Sequence, residues 1–225
     1  MTTVFCVALT VAAYSLSRRI GRRYPSPLTV PVFLATSMVM VVLVATGLDL
    51  DGYAHAKSFL AEFLGPATVA LADPLYRNRR VLIDHARPVV VGLVVGAVAS
   101  MVAAVGAGAL LGLDRGIRAA LAIRSVTAPV AIELAGEVDA DPTVVAAFVI
   151  LTGLVGSMIG PCLLTRIRVG REIARGEALG TVSHGQGTAQ ALTESDATGA
   201  AASVAMGSVA VVVSLLAPVA VRVLL

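Results

Sequence analysis

Leu64-Gly-Pro-Ala-Thr-Val-Ala-Leu-Ala-Asp-Pro-Leu-Tyr76, Arg124-Ser-Val-Thr-Ala-Pro129 and Ser183-His-Gly-Gln-Gly-Thr-Ala-Gln-Ala191 are polar, Gly- or Pro-broken stretches set among long apolar runs. Irregular backbone is tolerated in a bilayer only where protein or a water-filled cavity satisfies its N–H and C=O groups. Three such stretches in 225 residues point to a polar path through a helical membrane protein.

The surrounding composition places the chain in lipid. It is 57% hydrophobic and 14% charged, with a mean hydropathy of +0.90, whereas soluble domains carry about 25% charged residues. Trp is absent and aromatics are few, so aromatic belts are weak; the 21 Gly suit closely packed membrane helices. The net charge of +3 does not signal nucleic acid, because all but Lys57 of the 17 basic residues are Arg, clustered in loops. Cys6 and Cys162 lie within apolar runs and read as buried small side chains. The apolar N-terminal run precedes Arg18-Arg19, the reverse of a secretory signal, and is expected to be a retained span.

Hydropathy predicts spans near 2–17, 28–48, 88–113, 142–165 and 199–225, with weaker segments at 59–75 and 178–193. The first is short, roughly 24 Å at 1.5 Å per residue. Residues 116–136 are apolar but interrupted by Arg124, Pro129 and Glu133. Basic loops at Arg18–Arg23, Arg77–Arg87 and Arg166–Arg175 share the cytoplasmic side if 59–75 and 178–193 cross and 116–136 is re-entrant. The acidic loops at Asp49–Asp51, Glu137–Asp141 and Glu194–Asp196 then face outside, as does the N-terminus.

The expected architecture is therefore all-α, with about seven spans plus one broken or re-entrant segment, in a single transmembrane domain. Residues 1–27 are an extra span and basic loop, and 114–141 the broken segment. Residues 28–113 and 142–225 would be inverted three-span repeats with discontinuous helices, offset by roughly 110–120 positions, the pattern of a transporter's central site.

Leu64-Gly-Pro-Ala-Thr-Val-Ala-Leu-Ala…Pro74-Leu-Tyr, Arg124-Ser-Val-Thr…Pro129, Thr152-Gly-Leu…Gly156…Gly160 and Ala174-Arg-Gly…Gly180…Ser183-His…Gly187-Thr-Ala, in this order, resemble the LrgB/CidB family from about Leu28 onward. The resemblance implies either of two functions. One is transport of small monocarboxylates such as pyruvate, lactate, glycolate or glycerate, as in the related plant plastidial glycolate/glycerate translocator. The other is antiholin-like regulation of murein hydrolase export and autolysis without solute transport. It also implies a small LrgA/CidA-like membrane partner. Three positions depart from the family pattern: Ile123 stands where Lys-Ser-Val-Thr is usually preceded by Pro, with Arg124 keeping the charge; Gln190 replaces a frequent Arg; and Asp73 adds a negative charge.

The candidate substrate-binding residues are Pro66, Thr68, Arg124, Ser125, Thr127, Ser183, His184, Gln186, Thr188 and Gln190. Arg at mid-bilayer costs about 2.5–3.5 kcal/mol on insertion scales, so Arg124 either meets a substrate carboxylate, aided by Ser125 and Thr127, or pairs with Glu133, or snorkels. Pro66 breaks a helix ladder beside Thr68, at a solute site or a structural kink. Exposed N–H groups where a half-helix begins at Ser183–Gln190 favour an anion, and His184 is either a proton-coupling group or a hydrogen-bonded structural residue. His55 and His85 lie in polar loops. Gly92-Leu-Val-Val-Gly96 and Gly156-Ser-Met-Ile-Gly160 permit close helix approach, within the protomer or in a homo-oligomer. No P-loop, metal-ligand spacing or oriented nucleophile is evident, so the chain reads as a non-enzyme without cofactor.

Overall fold

The computed structural model describes the chain except for residues 1, 25, 49, 64–65, 67–68, 71–75 and 78. The described residues are helical, without strands, and fall into two compact units, Met1–Ala72 and Asp73–Leu225. Among the described residues, four helices are long and apolar enough to cross a membrane: Thr2–Arg23, Ala86–Leu110, Pro142–Arg166 and Asp196–Leu224. The chain is a multi-pass membrane protein.

In the first unit, α1 (Thr2–Arg23) continues through the basic residues beyond the expected 2–17 span. A 3-10 turn at Pro27–Thr29 leads into α2 (Pro31–Thr46), a shorter apolar helix ended by Gly47 at φ 67°, and then α3 (Leu50–Glu62). The Thr10 and Tyr53 hydroxyls lie 2.8 Å apart, and Ser17 Oγ donates to Pro31 O at 3.1 Å, so α1 packs on both following helices. The expected weak span 59–75 begins in α3, and most of the rest lies outside the described residues.

The second unit opens with the short α4 (Arg79–Asp84) and the 25-residue α5 (Ala86–Leu110). Gly112, at φ 68°, turns the chain, and Leu113 N donates back to Gly108 O at 2.9 Å. Asp114 caps α6 (Arg115–Ala122), accepting from Ile117 N at 2.8 Å. After a break at Ile123–Thr127, α7 (Ala128–Glu137) heads back toward the start of α6. The proof is the approach of Asp139 O to within 3.9 Å of an added Gly116 Cβ. A continuous helix would set those residues about 34 Å apart. Residues 115–137 are thus a helical hairpin that starts and ends at the C-terminal end of α5.

From that end, α8 (Pro142–Arg166) returns across the unit, capped by Asp141, which accepts from Thr143 N (2.7 Å) and Val144 N (3.1 Å). Then comes α9 (Glu172–Glu194), interrupted at His184. Arg175 Nε donates to Glu194 Oε2 at 2.7 Å, although 19 residues of straight helix would span about 28 Å. Gly187 likewise meets Leu179 O. The segment is a second helical hairpin, with arms 172–183 and 185–194.

This corrects the expectation that 178–193 crosses. The hairpin enters and leaves at one end, so Glu194 and Asp196 lie beside the Arg166–Arg175 loop rather than opposite it. The physical reason is the pair itself: each charge neutralises the other at the hairpin mouth. Residues 142–225 accordingly hold two spanning helices, α8 and α10 (Asp196–Leu224), around a hairpin. The Arg77–Arg87 and Arg166–Arg175 loops still share one end, because α5 and α8 run antiparallel with only a hairpin between them.

The hairpins are positioned by glycine. On the first arm of the second hairpin, Gly176 meets Thr198 O and Gly180 meets Ala202 O, both on α10. The same arm lies against Gly156 and Gly160 of α8 through Ser183 and Leu179, and against Gly92 and Gly96 of α5 through Glu177 and Thr181. Both small-xxx-small motifs therefore pack inside the protomer, where backbone proximity replaces the hydrophobic drive that lipid cannot supply. Val and Ala from α5, α6, α7, α8 and α10 form the core of the unit.

Candidate functional site

Each hairpin turns at a polar tip. At the first, Thr127 is the N-cap of α7, but its side chain makes no capping bond, and Pro129 occupies the first turn. Arg124 reaches from this tip to α5. Its Nη1 donates to Leu121 O at 3.2 Å and to Ser100 O at 3.3 Å, and its Nη2 donates to Ser100 Oγ at 3.3 Å. Ser100 Oγ also lies 3.3 Å from Ser125 Oγ. Among the described residues no carboxylate pairs with Arg124, and Glu133 is exposed on α7. The guanidinium is held by neutral acceptors at long distances, which leaves donor capacity for an anion.

At the second tip, His184 has φ 40° and ψ −130°, a conformation helices exclude. Its Nε2 lies 3.0 Å from Val149 O on α8. A carbonyl only accepts, so Nε2 carries the hydrogen. Thr188 Oγ1 donates to His184 O at 2.9 Å and satisfies a carbonyl released by the break. Ser183 is buried against Gly156. Gln186 faces Gly153, and its Oε1 is buried without a hydrogen-bond partner. Gln190 points elsewhere: its Nε2 donates to Thr193 Oγ1 at 3.1 Å, toward the hairpin mouth.

Both hairpins touch α5, about one turn apart. Gly96 faces Thr181 just before the second tip, and Ser100, about 6 Å further along α5, holds Arg124 and Ser125 at the first. Val126 of the first tip and Val149, whose carbonyl holds His184, belong to one core cluster. Arg124, Ser125 and Thr127 thus belong to the first tip, against α5, and His184 and Gln186 to the second, against α8. Thr188 plays a packing role, Ser183 fills the Gly156 notch, and Gln190 is left out. Pro66 is exposed in the first unit and Thr68 lies outside the described residues. Sequence reasoning missed Ser100, the one polar side chain between Pro88 and Leu113, and also Glu177 and Thr181, whose Oε1 and Oγ1 atoms are buried without partners.

The LrgB-like family model matches residues 10–223, nearly the whole chain. This chain belongs to the LrgB-like family. Among its relatives, "Holin-like protein CidB" of Staphylococcus aureus (strain Mu50 / ATCC 700699) is 33% identical over 213 residues, 95% of this chain and 93% of that protein. "Uncharacterized protein YwbG" of Bacillus subtilis (strain 168) is 34% identical over 210 residues, 93% of each chain. "Uncharacterized protein YxaC" of the same strain is 31% identical over 218 residues, 97% of this chain and 95% of the relative. No solved structure matches the chain. Both tips of this LrgB-like family member fall inside the matched region, as do the glycines that seat the second hairpin.

Proposed function

We propose that this LrgB-like family member carries small monocarboxylates across the membrane, with the solute held between the two hairpin tips. The observation that carries the reading is Arg124, a cation at a hairpin tip with no described carboxylate paired to it. An intramembrane Arg without a counter-ion is costly, and a substrate carboxylate would supply one. Ser125 and Thr127 add hydroxyls at the same tip, and the unpartnered Gln186 Oε1 at the second tip could accept from a solute hydroxyl but not from the carboxylate itself. Two half-helices, α7 and the arm 185–194, also begin at the tips, and their first N–H groups favour an anion.

The arrangement of helices supports the reading as well. The unit α5 plus first hairpin and the unit α8 plus second hairpin each open with a 25-residue helix and turn back at a broken tip. The two run in opposite directions, so we infer an inverted repeat, at a shorter period than the three-span halves expected from hydropathy. Alternating access would follow from movement of one hairpin against the other. The pyruvate-, lactate-, glycolate- or glycerate-like solute and a small LrgA/CidA-like partner rest on the family resemblance.

A second reading, an antiholin-like regulator of murein hydrolase export that carries no solute, is favoured by the name "Holin-like protein CidB" of the staphylococcal relative. Proteoliposome uptake separates the two. The carrier reading expects saturable uptake of at least one of the four solutes, lost in Arg124→Ala. Absence of saturable uptake with and without an LrgA-like partner would refute it. The regulatory reading expects a lysis phenotype that is unchanged by Arg124→Ala.

A further inference from the structure

Glu177 sits on the first arm of the second hairpin, about 8 Å along the helix from its start at Glu172 and about 10 Å short of the tip. Its carboxylate lies directly over the backbone of α5: a Cβ added to Gly92 would meet Oε1 at 2.6 Å and Oε2 at 3.2 Å. Only glycine leaves room for the group there. Oε1 is buried and has no hydrogen-bond partner. One turn further toward the tip, Thr181 is 3% exposed, and its Oγ1 is also unpartnered. The two side chains share the arm's face against Gly92 and Gly96, and form a polar strip leading from the mouth toward His184.

The surroundings offer Glu177 no countercharge. The helices packed against this arm are α5, α8 and α10. Their ionisable groups are Arg87 on α5, Cys162 and Arg166 on α8, and Asp196 and Arg222 on α10. None makes an ion pair with Glu177 among the described residues. On the hairpin itself, Arg171 and Glu172 lie at the mouth, Arg175 is engaged by Glu194, and His184 is bonded to Val149 O. Glu177 is partly buried, and an ionised carboxylate with one oxygen shut away from water and unpaired is disfavoured, while a bound metal cation would need several converging oxygens, which this strip lacks. A single proton meets the need: it removes the charge and supplies a donor.

We propose that Glu177 is the proton-coupling group of the carrier, protonated while its arm lies on the Gly92–Gly96 face of α5 and ionised when the arm leaves that face for water. The proton is taken from hydronium at one side and returned to water at the other. The carboxylate is regenerated, and one proton travels with each solute anion. The inference rests on the carrier reading above.

The test uses the full chain in proteoliposomes, with labelled pyruvate, lactate, glycolate and glycerate. Two modes are measured: counterflow exchange at equal pH on both sides, and net accumulation driven by a pH gradient, alkaline inside. The wild type is expected to perform both, with proton entry reported by a trapped pH dye. Glu177→Gln mimics the protonated state and is expected to retain exchange while losing gradient-driven accumulation and proton entry. Glu177→Asp, which keeps an ionisable group, is expected to retain both modes and guards against a folding defect in the first variant. Exchange by the wild type with net uptake indifferent to the gradient would overturn the proposal and leave the carrier reading standing. So would gradient-driven accumulation by Glu177→Gln at the wild-type level. No exchange by the wild type with any of the four solutes would overturn both.

Discussion

The fold-back of residues 172–194 is tested by uncoupling the pair at its mouth. Arg175 donates Nε to Glu194 Oε2 at 2.7 Å and Nη2 to Glu194 Oε1 at 2.9 Å, a two-point fork, with the side chains 14% and 20% exposed. Fully exposed ion pairs contribute about 0.2–1 kcal/mol, while hydrogen bonds to charged groups contribute about 1.5–3 kcal/mol. This partly sheltered fork falls between them, at about 1–2 kcal/mol of coupling. Arg175 also donates to Thr165 Oγ1, Val169 O and Pro161 O at 3.0–3.2 Å, which ties the mouth to the end of α8. Arg175→Ala should therefore destabilise more than Glu194→Ala. The assay is a double-mutant cycle in detergent, followed by thermal loss of helical circular dichroism, since the chain has no Trp. In a straight helix the two residues stand about 28 Å apart and their effects would add. Additivity within about 0.5 kcal/mol would therefore refute the hairpin. Arg175→Lys should recover only part of the coupling, because an ammonium cannot form the fork.

Gly187→Ala drives a Cβ into Leu179 O and Ser183 Cβ; it should cost about 1–3 kcal/mol by overpacking in the same melts, whereas Gly170→Ala, with nothing within 4 Å, should be near neutral. His184 holds φ 40°, a strain of about 1–3 kcal/mol for a non-glycine residue. His184→Gly and His184→Ala both lose the tether to Val149 O, so the Gly variant should melt higher than the Ala variant, and equal melting temperatures would count against the strain. The backbone N–H groups of Val144 and Thr143 hold the Asp141 carboxyl below the usual carboxylate range. Its stabilising effect is then present in full above the unfolded value near about 3.9 and is lost as pH falls through the lower folded value. Asp141→Asn, which keeps the cap geometry, should flatten that acid limb in a pH series of melts. Ser100→Ala removes one acceptor from Arg124 and, at about 1 kcal/mol, should weaken solute affinity roughly fivefold in the uptake assay.

The long helices were legible because an apolar run of span length has few alternatives in lipid. The runs near 88–113, 142–165 and 199–225 reappear as α5, α8 and α10 with ends shifted by at most three residues. The larger shifts follow cap chemistry at Ser195 and the turn at Gly112. The direction of the broken segments was not legible. Folding back changes neither the composition nor the local periodicity of 172–194; it shows only in contacts between residues far apart in sequence, such as Arg175 with Glu194. Counting charges by loop assigned those two residues to opposite faces, whereas their attraction places them together. The polar tips were visible as residue types, but their partners were not. Ser100 is a lone hydroxyl in an apolar run, and only the arrival of Arg124 and Ser125 gives it a role.

The positions of these exceptions follow from one constraint. A broken helix releases backbone donors and acceptors that lipid cannot satisfy, so each break must lie within protein. A hairpin meets that condition if its tip is surrounded, and the second tip is: α8 supplies Val149 O to His184, and α10 brings Ala202 O within 3.4 Å of the Thr188 hydroxyl. The first tip is enclosed by α5 through Ser100 and by the valines of the shared core. Glycine makes the enclosure close enough, at Gly92, Gly96, Gly156, Gly160, Gly176 and Gly180. Both breaks are thus sheltered by protein, the first against α5 and the second against α8 and α10. Arg124, costly in lipid, is held at the first break by the carbonyls of Ser100 and Leu121 and by the Ser100 hydroxyl, and on the proposed carrier reading it is the group that meets the anion.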